Sequence, residues 1–170
     1  MNKKLVPDIR VDSIDDLSGS FFVERGIKAV FLDIDNTLVA PHIKVPDERV
    51  QRFIKSLTDY GIIVCYISNN NKKRVSAFNT HNFYYIHRAG KPFTFAYRAA
   101  LKKFGVSKNE AAAVGDQFFS DIYGANRAGL LTVMVKPIEI GHEGPFVWLK
   151  RKFEKHVLKE LEKVENTNIK

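Results

Sequence analysis

Cysteine is all but absent from this chain: Cys65 stands alone among 170 residues. No intrachain disulfide can form, and a zinc site built on several thiolates is excluded. Cys65 lies inside the apolar run Ile62-Ile63-Val64-Cys65-Tyr66-Ile67 and reads as a buried, inert thiol. Long hydrophobic runs are also missing, and the ones present are far too short to span a bilayer. Met1-Asn2-Lys3-Lys4 imitates the start of a signal peptide, but Pro7, Asp8, Arg10, Asp12, Asp15 and Asp16 interrupt any apolar segment behind it. The expectation is a cytoplasmic protein. No histidine pattern supports a metal site. His81, His142 and His156 read as surface residues, as do His42, His87 and Arg88 near the strand ends.

What is present describes a single compact domain. Hydrophobic residues make up 45% of the chain and aromatic residues 12%, enough for a packed core without a staple. The net charge of +8 favours anionic partners such as phosphorylated substrates, nucleic acid or anionic lipid, without choosing among them.

Short apolar runs alternate with helical patterns along the middle of the chain. Strands are expected at Ala29–Leu32, Ile62–Ile67, Phe83–Ile86, Ala111–Val114 and Leu131–Val135. Between them lie a helix capped by Asp47 and closed by Gly61, one from Asn71 to about Thr80, and one opening near Pro92 with Phe95, Ala99 and Phe104 in helical repeat. A last helix runs from Phe118 to Ala128 and stops at Gly129. Ala111–Val114 is ambiguous, because Ser107 and Glu110 imitate a capping box in front of it. The alternation predicts an α/β fold: a three-layer, doubly wound, Rossmann-like parallel sheet of about five strands. Residues 1–26 form an N-terminal extension. Residues 138–170 form a C-terminal appendage where Phe146, Leu149, Phe153, Val157, Leu161 and Val164 repeat at helical spacing beside many lysines. That pattern suits either a helix packed on the domain or an interfacial helix, with Trp148 and Phe146 at headgroup level.

In an open parallel sheet, ligands bind beyond the carboxyl ends of the strands. Those ends deliver Asp33-Ile34-Asp35-Asn36-Thr37, then Ser68 and Asn69, then Lys91, then Gly115-Asp116 with Asp121 beyond. Phosphoryl transfer needs such a set. Asp33 can attack phosphorus to give an acyl phosphate, and Asp35 can protonate the leaving oxygen and later activate water. Mg2+ would be held by Asp33 and Asp116. Thr37, Ser68, Asn69 and Lys91 would bind the phosphoryl oxygens.

This ordered set resembles the haloacid dehalogenase-like (HAD) superfamily of phosphohydrolases, whose D-x-D-x-T pattern appears here as Asp33 to Thr37. Ser68, Lys91 and the acidic motif Gly115 to Asp121 fill its other positions. The resemblance implies that Asp33 is the nucleophile, Asp35 the acid/base and Asp121 a supporting acid. It also implies that the Asp35 carbonyl joins Asp33 and Asp116 on the metal. Neither interval between the first three motifs can hold a cap domain, and an uncapped site by family analogy serves large or interfacial substrates. Leu5 to Asp8, Asp33 to Ala40, Ala89 to Pro92 and Gly115 to Gly129 are similar to the YqeG family of subfamily IIIA, itself similar to phosphatidylglycerophosphate phosphatases. The implied substrate is a phospholipid phosphate monoester, with the enzyme peripheral on the inner face of an anionic membrane and no stable nucleic-acid partner. Phosphatases of nucleic-acid ends or phosphoprotein, and a phospho-receiver or binding module, are the rival readings. A receiver does not require the second acid of D-x-D, so Asp35 separates it from the enzyme.

Overall fold

The computed structural model describes residues 6–139, and the lysine-rich pattern that follows lies outside them. Six strands form one parallel sheet in the order β1-β6-β5-β2-β3-β4. They are β1 (Ile9–Val11), β2 (Ala29–Leu32), β3 (Ile63–Ile67), β4 (Tyr84–Ile86), β5 (Ala111–Gly115) and β6 (Leu131–Val135). The five strands expected from the sequence are all present. The sixth comes from within residues 1–26: Ile9 to Val11 pair with Val133 to Val135 at the sheet edge.

β2 sits at the centre, with Leu32 opposite Tyr66 of β3 on one side and Val114 of β5 on the other. All four of its side chains are buried, as a strand covered on both faces requires. Helices α1 (Gly19–Val23), α2 (Glu48–Asp59) and α3 (Lys72–Phe78) supply one apolar layer, through Phe22, Phe53, Leu57, Val75 and Phe78. Helices α4 (Phe95–Phe104) and α5 (Tyr123–Ala128) supply the other. From β2 the chain steps outward to β3 and β4, then returns to β5 on the opposite side of β2. That reversal opens a crevice beyond the carboxyl ends of β2 and β5, where such sheets bind ligands.

Local signals explain most element ends. Asp47 accepts from the Val50 N–H at 2.8 Å and Asn71 from the Arg74 N–H at 2.9 Å, starting α2 and α3. The Ser107–Glu110 capping box is real but serves only a short 3-10 turn, and the chain then extends into β5. Two expectations need correction. α4 begins at Phe95 rather than near Pro92, and its buried face is Ala96, Tyr97 and Ala100. Phe95 and Ala99 face outward, on the side of α4 opposite Ala96, Tyr97 and Ala100. The Phe118–Ala128 helix opens as a π-turn over Phe118–Ile122 before becoming α5. Cys65 is fully buried in β3, and burial pushes its thiol up to about 12, so it is inert as expected.

The edge strand β1 is latched by Asp8. Its carboxylate accepts from the Thr132 N–H at 2.8 Å and lies 2.9 Å from the Thr132 hydroxyl, while Thr132 is wholly buried. Removing the acceptor strands a buried donor. Asp8→Ala should therefore cost about 1 to 3 kcal/mol, lowering the thermal midpoint by about 3 to 10 °C. A melting curve of the variant checks this, and its catalytic constants should be unchanged.

Candidate active site

Asp33 and Asp116 follow directly from β2 and β5, the two strands that flank the crevice. The Asp33 N–H still donates to Val114 at 3.0 Å, so its backbone is held by the sheet while its side chain leaves it. Beyond it the loop curls tightly: Asn36 donates to Val39 at 2.8 Å and Leu38 to Ile34 at 2.9 Å. Asn36 has φ of 68°, a left-handed conformation that asparagine tolerates better than most side chains. This curl brings the buried Thr37 hydroxyl back to donate to Asp116 at 2.9 Å.

Lys91 enters from the loop after β4. Asn69 brackets its backbone, accepting from the Lys91 N–H at 2.8 Å and donating to the Lys91 carbonyl at 3.0 Å. The ammonium then sits between Asp33 at 2.7 Å and Asp121 at 2.5 Å. Asp121 rises from the π-turn, and its other oxygen accepts from the Gln117 N–H at 3.0 Å. Gly115 makes this approach feasible. A Cβ there would meet the Asp121 side chain at 2.4 Å, far inside contact distance.

The eight residues singled out in the sequence thus reach one edge of the sheet, in differing arrangements. Asp33, Lys91, Asp116, Asp121 and Thr37 form one buried, linked set. Ser68, also buried, follows β3 directly and accepts from the Asn70 N–H at 3.2 Å. Thr37 donates to Asp116, and Asn69 brackets the Lys91 backbone, so both hold other site residues in place. Asp35 turns the other way. Arg74 of α3 grips one of its oxygens at 2.7 and 3.0 Å, and Asn70 donates to the other at 2.9 Å. Neither Arg74 nor Asn70 was anticipated. The signal available was Arg74's position one turn into a helix that starts at the site edge.

Oxygens of Asp33, Asp116 and Asp121 lie within 4.8 Å of one another. Three carboxylates face one ammonium, so full ionisation leaves a buried excess of negative charge. Burial pushes the Asp33 carboxyl up from its ordinary 3.8 to about 7, despite the pull of Lys91 and aided by Asp121 and Asp35. Burial opposes a charged Lys91 as well, yet Asp121 and Asp33 beside it keep its ammonium above the ordinary lysine value. A cluster of hard oxygen ligands short of positive charge fits a divalent cation.

Comparison with known proteins agrees with this geometry. Residues 88–137 match the HAD-hydrolase-like family model. The chain is 29% identical to the probable phosphatase YqeG of Bacillus subtilis, over 96% of this chain and 95% of that protein. It is also 29% identical to the chloroplastic/mitochondrial phosphatidylglycerophosphate phosphatase 1 of Arabidopsis thaliana, over 84% of this chain but only 44% of the plant protein. Among solved structures, the cobalt-bound deoxy-D-mannose-octulosonate 8-phosphate phosphatase of Haemophilus influenzae superposes with a TM-score of 0.52 at 21% identity, covering 65% of this chain and 69% of that one. That likeness concerns the fold.

The raised Asp33 carboxyl has a thermodynamic consequence. Between about 4 and about 7 the unfolded chain has released this proton while the folded one retains it, so Asp33 makes stability fall as pH rises through that window. A divalent cation held by these carboxylates would replace the proton. Magnesium or manganese at about a hundredfold excess over its Kd should stabilise the protein at pH 8 by about 2 to 3 kcal/mol. The gain should be much smaller at pH 5 and absent in Asp116→Asn, as thermal melts with and without chelator would record.

Proposed function

We propose that this haloacid dehalogenase-like phosphatase hydrolyses a phospholipid phosphate monoester through an aspartyl-phosphate, with Mg2+ as its cation. The observation that carries the mechanism is the position of Asp33: a carboxylate at the switch-point crevice, 2.7 Å from the Lys91 ammonium and clustered with Asp116 and Asp121. Asp33 attacks phosphorus, forming a P–O bond as the bond to the leaving alkoxide breaks. Asp35 gives that oxygen its proton. Water then attacks the acyl phosphate, surrendering a proton to Asp35, and Asp33 is freed with release of inorganic phosphate. Lys91 and the Ser68 hydroxyl supply hydrogen bonds where negative charge spreads in the transition state. Asp33 and Asp116, with the Asp35 carbonyl, would hold Mg2+, and Asp121 supports them through Lys91. When bound, the ion neutralises phosphoryl oxygens that would otherwise face carboxylates.

Two features support a lipid substrate. The resemblance to a phosphatidylglycerophosphate phosphatase extends over most of this chain. Among the described residues only α2 and β3 stand between the first and second motifs, and only α3 and β4 between the second and third, leaving no cap to enclose a small metabolite. Turnover on dispersed phosphatidylglycerophosphate should exceed that on a 5′-phosphorylated oligonucleotide or a phosphopeptide. Preference for either polymer would refute the lipid assignment. Asp33→Asn should lower all activity by more than about a thousandfold.

Arg74 and Asn70 set where the Asp35 carboxylate sits, so they position the group that must meet the leaving oxygen. An alkyl leaving group depends on that proton, whereas nitrophenolate leaves with little help. Arg74→Ala should therefore lower kcat on alkyl phosphates by about 10- to 100-fold and on nitrophenyl phosphate by only a few-fold, with partial recovery in Arg74→Lys. Equal losses on both substrates would remove Arg74 from this role.

A further inference from the structure

Beside the site stands a surface that catalysis does not use. Phe93 and Phe95 follow Lys91 closely in the chain, and both are more exposed than buried, at 57% and 66% of their area. Their rings pack against each other at 5.6 Å between centroids and 19° between planes, rather than entering either core layer. Phe95 also leans over the bend that delivers Lys91, since a Cβ on Gly90 would lie 3.9 Å from its ring. Two large apolar side chains are thus kept in water beside the bend that delivers Lys91. Nothing in the fold rewards that placement, so a ligand is the better explanation.

The charge around them is of one sign. Every charged side chain from Tyr60 to Asn109 is basic. Within that stretch Lys72 and Lys73 lie in the first turn of α3, Arg88 on the loop before Lys91, and Arg98 in the first turns of α4. The first turns of these helices lie at the edge where the strands end, the same edge as the site. All four cations are exposed, and none has an ion-pair partner among the described residues. Exposed aromatic rings at an edge that also carries unpaired cations match the boundary between anionic headgroups and acyl chains.

We propose that Phe93 and Phe95, with Arg88, Arg98, Lys72 and Lys73 at the same edge of the sheet, seat the enzyme on an anionic lipid bilayer with the mouth of the site against the headgroups. This deepens the lipid reading above and rests on it. Phenylalanine rings carry no polar tip, and these two together offer one contiguous apolar surface, a form suited to wedging beneath headgroups.

The test uses the full chain and the double variant Phe93→Ser/Phe95→Ser, both away from the reacting atoms. Sedimentation with phosphatidylglycerol vesicles, which contain no substrate, should show binding by the parent protein and little binding to phosphatidylcholine. The variant should bind about tenfold or more weakly. It should lose a similar factor on substrate embedded in vesicles, while turnover of soluble nitrophenyl phosphate stays within about twofold of the parent, showing that the fold and site survive. Equal vesicle binding by variant and parent, or no binding by either, overturns the docking face. So does a loss confined to oligonucleotide binding. Vesicle binding without hydrolysis of any lipid phosphate would keep this surface and reject the substrate assignment, so the two failures are distinguishable.

Discussion

The ammonium of Lys91 is the centre on which this site depends. It is buried, and burial alone would favour its neutral form, but Asp33 and Asp121 contact it from different elements and keep it charged. Removing it would leave Asp33 and Asp121 without the ammonium that both contact, beside the third carboxylate of Asp116. Much of the surrounding detail serves this pairing. Asn69 fixes the Lys91 backbone, Gln117 fixes Asp121, and Gly115 clears the space in which Asp121 approaches.

The same arrangement sets a limit that chemistry can exploit. The site holds more acid than base, and Asp33 responds by retaining its proton to near-neutral pH. A carboxyl that is hard to ionise is a poor nucleophile until positive charge arrives. In the proposed mechanism, cation binding, activation of the nucleophile and stability would be linked through this one group. Thr37 contributes by donating to Asp116, which holds one carboxylate in place before any ion binds.

Topology explains why residues so far apart in the chain meet. β5 returns to the side of β2 opposite β3, so the tips of β2 and β5 become neighbours although about eighty residues separate them. The steps to β3 and β4 carry Ser68 and the Lys91 loop to the other side of Asp33. The helices that begin at this edge bring their own first-turn side chains with them. Arg74 reaches Asp35 in this way, and Phe95 reaches the bend at Gly90 before Lys91.

The amino-acid pattern alone determined the strand and helix order, the parallel sheet and the set of polar residues at its carboxyl edge, because apolar runs, caps and terminal glycines are local signals. It located Asp33, Lys91, Asp116 and Asp121 correctly at one edge, since each directly follows a strand or the turn behind it. The sequence could not assign their partners. That Thr37 and Asn69 support Asp116 and Lys91, that Arg74 clamps Asp35, and that Phe95 faces water while Ala96 and Tyr97 are buried all depend on contacts across 22 to 79 positions or on a three-residue shift in helix start. The strand β1 was hidden for the same reason: three residues of weak pattern become a strand only when β6 offers them an edge. Local chemistry chose which side chains arrive at the crevice, and only packing of the distant segments decided which of them touch.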